Sequence, residues 1–206
     1  MRSKCCQKYN KTHFMCISNK AGFSLVEVLV SMIVLAFGVI GAAGMQLAAL
    51  RTTQQAAFQT FSLQLAAEIA DAIRASERQM SGNWEVNPFA GMNYRAIDGS
   101  EPALPSRLCY ETACDGTEFA EFEIYEWKKR IKAALPGGRV LICRDAEPWS
   151  SAANALSWDC DSGSAANAPL VIKLGWQAKN PDGSLIRDDH KQYPPSVAIA
   201  VNSRAK

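Results

Sequence analysis

The sequence predicts an α+β fold in which one long N-terminal helix packs on a small antiparallel sheet. Residues 23–76 contain no proline, and their apolar residues recur at helical spacing. Three short runs closer to the C-terminus have the composition of strands, and glycine and proline separate them. A chain of 206 residues is long enough for one domain with a real core and an additional segment.

The first 22 residues form a basic leader. They carry Arg2, Lys4, Lys8, Lys11 and Lys20 and no acidic residue, which leaves the remainder at −3 from a formal total of +2. This asymmetry is typical of a topogenic signal, and it places the N-terminus in the cytoplasm. The mildly acidic remainder lacks the basic face that nucleic-acid binding requires, so we expect no nucleic-acid partner.

The segment from Val28 to Leu50 carries no charge. A membrane-spanning helix needs about 20 apolar residues, whereas the apolar part of a secretory signal has only about 7–15. Glu27 does not suit a plain anchor, because a charged side chain at the bilayer centre costs at least about 2.5 kcal/mol. Either Glu27 lies near the helix end and reaches the interface, or it binds a cationic partner.

The helical pattern continues past Arg51 as an apolar stripe formed by Phe58, Phe61, Leu65, Ile69 and Ile73. One helix of about 80 Å is therefore expected, at 1.5 Å per residue. Its first half would lie in the membrane, and the stripe of its second half would pack on a globular head.

Three glycines, Gly38, Gly41 and Gly44, recur in the apolar half of this helix. Small residues allow another helix to approach closely. Glycines also weaken a helix by about 1 kcal/mol each relative to alanine, so they could mark a place where it loosens. The two interpretations are compatible.

A second helix is predicted at about residues 119–135. Residues 77–108 before it are rich in glycine and proline and predict a long loop with little regular structure. The helix places Ile124, Trp127, Ile131 and Ala134 on one side, and Pro136-Gly137-Gly138 ends it.

Three strands are predicted after the second helix. They are Val140–Cys143, Leu170–Trp176 and the alternating run Val197–Val201. In the middle run, alternation places Leu170, Ile172, Leu174 and Trp176 on one face and Lys173 on the other.

The head contains four cysteines, an even number that suggests two disulfides and an oxidising compartment. Cys109 and Cys114 are close enough to pair across a tight loop, and Cys143 and Cys160 flank the segment between the first two strands. Crossed pairings stay open, as do four reduced thiols.

Catalytic residues are not indicated. His13 lies in the leader and His190 in a polar loop, and the sequence has no metal-ligand spacing, nucleophile elbow or phosphate-binding glycine loop. We expect a protein that is not an enzyme and holds no cofactor or metal.

The run from Gly22 to Glu27, Gly-Phe-Ser-Leu-Val-Glu, resembles the class III signal of type IV prepilins and of type II secretion pseudopilins. The resemblance implies that a prepilin peptidase cuts between Gly22 and Phe23 and methylates the new amine of Phe23. It further implies that Glu27 neutralises this amine when the subunit docks into a growing filament.

The resemblance also implies a pilin-like division of the chain. Residues 1–22 are the removed leader, 23–50 the membrane and filament-core half of the helix, 51–76 its amphipathic half and 77–206 the α+β head. The chain would span the bacterial inner membrane once, with a cytoplasmic N-terminus and a periplasmic head, and then enter a pilus filament or its tip.

The head resembles the PilV group of minor pilins more loosely. The residues concerned are Cys109 and Cys114, Glu123–Trp127 in the helix, Leu135-Pro136-Gly137-Gly138, Cys143 and Gly175-Trp176. PilV-type pilins are implied to initiate pilus assembly and to join a tip complex. The implied partners are other minor and major pilins, the prepilin peptidase and the inner-membrane assembly platform.

Two other functions stay open. The same N-terminal signal serves minor pseudopilins of type II secretion systems. Alternatively, the head could be a tip adhesin or a DNA-uptake subunit, although a mature charge of −3 counts against DNA.

Overall fold

The computed structural model describes residues 22–79, 87–96, 101–160, 168–180, 183–185 and 193–201. Leader residues 1–21 and His190 lie outside the described residues, as do parts of the predicted loop 77–108. The elements, in chain order, are α1 (Leu25–Gln79), β1 (Asn93–Arg95), α2 (Gly116–Ala134), β2 (Arg139–Arg144), β3 (Trp149–Ser150), β4 (Ala155–Leu156), β5 (Leu170–Gly175) and β6 (Val197–Val201). The chain forms two compact units, one ending at Leu47 and one beginning at Ala48.

The C-terminal part of α1 supplies one wall of the head's core. Leu65, Ile69 and Ile73 are buried, and Phe58 and Phe61 pack half-buried against the same cluster. The apolar stripe predicted from the sequence is therefore confirmed. α1 ends at Gln79, three residues beyond the predicted segment.

α2 begins earlier than predicted, at Gly116, because Asp115 caps it. The Asp115 carboxylate accepts the backbone N–H groups of Thr117 and Glu118, and the Glu118 side chain accepts the Asp115 N–H, which completes a capping box. Trp127 and Ile131 are buried as expected. The predicted stop is confirmed: the helix ends at Ala134, and Gly137 has the positive φ of 57° that favours glycine.

Glu68 joins α1 to α2. It accepts hydrogen bonds from Trp127 Nε1 at 3.0 Å and from two nitrogens of Arg130 at 3.0 and 2.6 Å. The bond from Arg130 holds the pKa of Glu68 below its ordinary value, against the opposing effect of burial. Because the pKa of Glu68 is lower in the folded than in the unfolded chain, its bond with Arg130 stabilises the fold fully at any pH above the unfolded-state pKa. This stabilisation is lost as the pH falls through the folded-state pKa of Glu68.

The sheet has four antiparallel strands in the order β1-β2-β5-β6. Its inner face packs on the helices through Val140, Ile142, Ile172 and Leu174, all of which are fully buried. The fold therefore consists of a long N-terminal helix, a second helix and an antiparallel sheet. This arrangement confirms the predicted α+β, pilin-like fold class.

Two strand features were not predicted. Within the segment 77–108, which was expected to have little regular structure, Asn93–Arg95 pairs with β2 as a three-residue edge strand. That strand is too short to produce a readable alternation. A small hairpin, β3–β4, also occupies the segment after β2, and Asn154 adopts a positive φ of 48° in its turn.

Lys173 lies on the face of β5 opposite the helices, as alternation requires, but that face is not solvated. All six residues of β5 are buried. The segment from Asp145 to Cys160 covers Lys173, which is 0 % exposed. No local pattern predicts this cover, because it depends on how the segment folds back over the sheet.

Both cysteine pairs are bonded in the structure, Cys109 to Cys114 and Cys143 to Cys160. The second bond joins β2 to the end of the segment that covers Lys173. It closes the larger loop, with a sequence separation of 17 against 5.

Replacing Cys143 and Cys160 together by serine is expected to destabilise the head by about 3 kcal/mol, since the disulfide reduces the conformational entropy of the unfolded chain. Replacing Cys109 and Cys114 should cost about 2 kcal/mol by the same relation. Urea unfolding of the two double variants, under identical conditions, measures the difference. An equal or reversed ranking would contradict the loop-closure argument.

Candidate assembly site

The Gly22–Phe23 peptide bond lies outside the helix. Residues 22–24 are not helical, and α1 begins at Leu25. The Ser24 carbonyl accepts the first backbone bonds, from the N–H groups of Glu27 at 3.0 Å and Val28 at 3.2 Å. The groups of the Gly22–Phe23 bond are therefore not engaged in the helical ladder, which leaves this bond available to a protease.

Gly22→Val is expected to block processing, because a protease that recognises glycine here would meet a branched side chain. A Cβ at Gly22 meets no atom of the chain within 4 Å, so the substitution should leave the chain's own structure unchanged. Intact mass of the membrane-extracted chain reports whether the leader is still attached. Gly38→Ala is the control, since its Cβ is equally unobstructed; normal cleavage of Gly22→Val would contradict the assignment.

Glu27 occupies the first turn of α1. The free N–H groups of a helix start carry partial positive charge, which favours a carboxylate there by about 0.3–1 kcal/mol. Cleavage before Phe23 would add an α-amine four residues upstream of this carboxylate. Glu27 is exposed within its own chain, so a cation on another chain can also reach it.

None of the described residues covers the first half of α1. Every residue from 22 to 54 is exposed, including large apolar side chains such as Phe23 at 83 %, Leu35 at 70 % and Phe37 at 71 %. Among the described residues, α1 is the one helix long and apolar enough to cross a membrane. An apolar surface of this extent is typical of a segment that contacts a membrane or another protein.

Three hydroxyl groups on this surface donate hydrogen bonds inside the helix. The Ser31 hydroxyl donates to the Val28 carbonyl at 2.7 Å, and Thr53 donates to Ala49 at 2.9 Å. Such bonds let hydroxyl groups enter an apolar environment. A Cβ added at Gly38, Gly41 or Gly44 would meet nothing within 4 Å, so no packing within the chain requires these glycines. Their small size suits contact with a helix outside the chain.

The disulfide cysteines belong to the second unit, whereas Gly22, Phe23 and Glu27 belong to the first. The structure brings Gly22, Phe23 and Glu27 to one helix start because they are close in sequence. One cluster in the head was not predicted: Arg95 and Arg139 are opposed across β1 and β2, and Arg139 lies over the Trp158 ring, which packs edge-to-face with Tyr193. No sequence signal marks that cluster, since it depends on the register of β1 with β2.

Residues 17–43 match the family model described as the prokaryotic N-terminal methylation motif. The match includes the Gly22–Phe23 bond, Glu27 and the first turns of α1. No curated protein matches the chain. No solved structure matches it either. The chain thus carries a prokaryotic N-terminal methylation motif at the start of an exposed apolar helix, and in this segment it is similar to type IV prepilins.

Proposed function

We propose that this protein is a minor pilin of a type IV pilus that helps to initiate pilus assembly and to form the tip complex. The observation that carries the proposal is the methylation motif at the head of an apolar helix whose residues are exposed through position 54. A helix of this kind is suited to lie first in a bilayer and then among the helices of other subunits. The role is structural rather than catalytic.

The maturation steps follow from the motif. A prepilin peptidase removes residues 1–22 on the cytoplasmic side of the inner membrane and methylates Phe23. The inner-membrane assembly platform then receives the subunit, and Glu27 binds the N-terminal amine during docking. A buried carboxylate paired in this way is tolerated, whereas the same carboxylate without its partner is costly.

Features of the head favour a pilus over a type II secretion system. A disulfide between Cys109 and Cys114 precedes α2, and the segment Leu135-Pro136-Gly137-Gly138 follows this helix. Gly175 is the last residue of β5, and Trp176 comes directly after it. These are the residues on which the chain resembles PilV-type minor pilins. The periplasm and the cell surface are oxidising compartments that suit two disulfides.

The test is a deletion strain, complemented with the wild-type chain, in which surface pili and secreted proteins are measured side by side. Loss of pili with normal secretion is the expected result. Intact pili with blocked secretion would overturn the pilus assignment in favour of a type II secretion pseudopilin. No defect in either would contradict an initiating role and favour a specialised tip function such as adhesion.

A further inference from the structure

Residues 145–160, the covering segment, form a part of the head that is separate from the main core. The structure describes all of these residues, and none of them belongs to the apolar cluster that the two helices share with the four-stranded sheet. The two short strands in this segment, β3 and β4, form a sheet of their own. The segment can therefore leave the sheet without breaking the main core or the strand pairs of the larger sheet.

The covering segment closes over the outer face of β5. Lys173 lies on this face and is 0 % exposed. Leu141 and Val171 are on the same face, because Leu141 opposes Lys173 in the β2–β5 register and Val171 precedes Lys173 by two residues. Both are buried, yet neither belongs to the main core cluster. The sheet therefore carries a second, smaller apolar layer on its outer face.

Hydrogen bonds from Lys173 hold the far end of the covering segment on the sheet. The ammonium group donates to the carbonyl of Ser157 at 2.7 Å and to the carbonyl of Asp159. Both acceptors lie within three residues of Cys160, where the segment ends. The pair between Lys173 and Asp145 belongs to the near end, because Asp145 directly follows β2. If the far end leaves the sheet, Lys173 gains contact with water and keeps its counter-ion.

The Cys143–Cys160 disulfide ties the same far end to the sheet. Cys143 belongs to β2, and the two cysteines are 17 residues apart in sequence. While the bond is intact, Cys160 stays beside β2, and the carbonyls of Ser157 and Asp159 stay within reach of Lys173. Without the bond, the open segment gains conformational entropy, as an unfolded chain does when a loop of this size is released. The chain-entropy relation for such a loop corresponds to about a hundredfold change in the equilibrium.

We propose that the Cys143–Cys160 disulfide is a redox switch for the covering segment. In the oxidised head, residues 145–160 stay closed over Lys173. Reduction by a dithiol raises the population of a form in which the far end of the segment is open and the main core is still folded. Local opening of this kind occurs in segments that share few contacts with the main core. The switch is a property of the head alone and does not depend on a role in a pilus.

The reduction proceeds by thiol–disulfide exchange. Cys160 is exposed, whereas Cys143 is half-buried, so the first thiolate of the dithiol attacks the Cys160 sulfur. The bond between the two cysteine sulfurs breaks, and Cys143 leaves as a thiolate and takes up a proton. The second thiolate of the dithiol then attacks the dithiol sulfur of the mixed disulfide, which releases Cys160 as a thiolate that also takes up a proton. Two electrons pass from the dithiol to the protein, and the dithiol becomes a disulfide.

The acylation rate of Lys173 measures how often the covering segment opens. The full chain in nonionic detergent is compared with and without prior reduction by dithiothreitol, after free thiols are alkylated and the reagents are removed. An N-hydroxysuccinimide ester then acylates the lysines, and peptide mass spectrometry follows each of them. A buried amine reacts only from the open form, so its rate is proportional to the population of that form. Reduction is expected to raise the rate at Lys173 about a hundredfold.

Two cysteine variants show which disulfide controls the segment. Cys143→Ser with Cys160→Ser should give the fast rate at Lys173 without any reductant. Cys109→Ser with Cys114→Ser should keep the slow rate until reductant is added. The second disulfide closes a local loop, with a sequence separation of 5, before α2 and does not reach the covering segment.

Two further measurements separate local opening from unfolding of the whole head. Lys129, a solvent-accessible lysine on α2, should be acylated at the same rate in the oxidised and reduced chains. Backbone amides of β2 and β5 should stay protected from hydrogen exchange in the reduced chain, since these strands pair with each other and not with the covering segment.

Three results would overturn the redox switch. An unchanged rate at Lys173 after reduction would mean that the disulfide does not control the opening. A fast rate after replacement of Cys109 and Cys114 alone would mean that Lys173 reports a general loosening of the head. Loss of amide protection in β2 and β5 on reduction would mean that the head unfolds as one unit. Each of these outcomes leaves the minor-pilin function standing.

Discussion

Replacing Glu27 by alanine is expected to leave cleavage after Gly22 intact and to abolish assembly. The Gly22–Phe23 bond lies before the helix, and Glu27 lies in its first turn. Removal of the carboxylate therefore leaves the bond and its surroundings unchanged. The α-amine of Phe23, however, would lose its counter-ion in an apolar environment, and an unpaired buried charge costs about 3–5 kcal/mol.

Two measurements separate cleavage from assembly in Glu27→Ala. The intact mass of the membrane-extracted chain reports removal of residues 1–22, and the fraction of the chain in sheared surface filaments reports assembly. At about 1.4 kcal/mol per factor of ten, a loss of 3 kcal/mol or more lowers incorporation by at least about a hundredfold.

Glu111→Gln is the matched control for Glu27. It removes a carboxylate from an exposed position in the head. Incorporation of Glu111→Gln should equal that of the wild-type chain. Wild-type incorporation of Glu27→Ala would contradict the role of this carboxylate, and failure of cleavage would mean that Glu27 acts at the peptidase step instead.

The candidate assembly site could be located from the sequence because its residues are contiguous. Gly22, Phe23 and Glu27 lie within six residues, and a helix start brings them together without any tertiary contact. The stripe of Leu65, Ile69 and Ile73 was equally readable, since helical periodicity is a local property. The fold class followed from such local patterns.

The features that could not be predicted depend on strand register and on loops that fold back. The opposition of Arg95 and Arg139 requires β1, a strand of three residues that carries no pattern of its own. The environment of Lys173 requires the segment after β2 to lie over β5. A lysine in an alternating strand is usually solvated, so the sequence favoured the opposite conclusion.

Lys173 is buried together with its counter-ion. Its Nζ lies 2.5 Å from the Asp145 carboxylate, and both side chains are 0 % exposed. The ammonium also donates to the Ser157 carbonyl at 2.7 Å and to the Asp159 carbonyl. The Asp145 carboxylate supplies the opposite charge and two carbonyls accept hydrogen bonds, which are conditions under which a buried charge is tolerated.

Lys173→Met is expected to destabilise the head by about 3–5 kcal/mol, because it leaves the Asp145 carboxylate buried without its cation. That is a large part of the 5–15 kcal/mol typical of a folded domain. Urea unfolding of the full chain in detergent, followed by near-ultraviolet circular dichroism, measures the change. Lys129→Met is the control and should leave the free energy of unfolding almost unchanged, since Lys129 and Glu126 form a solvent-accessible pair on α2.

A second substitution separates charge burial from loss of packing at Lys173. In Lys173→Met with Asp145→Asn, the remaining partner is neutral and can still accept the Glu147 N–H that Asp145 accepts at 3.1 Å. This double variant should recover at least about half of the stability lost in Lys173→Met, because neighbouring charges couple strongly. No recovery would mean that the aliphatic chain and the bonds to Ser157 and Asp159, rather than the ion pair, hold the covering segment on the sheet. Recovery would assign the stability lost in Lys173→Met to the Asp145 carboxylate left buried without its cation.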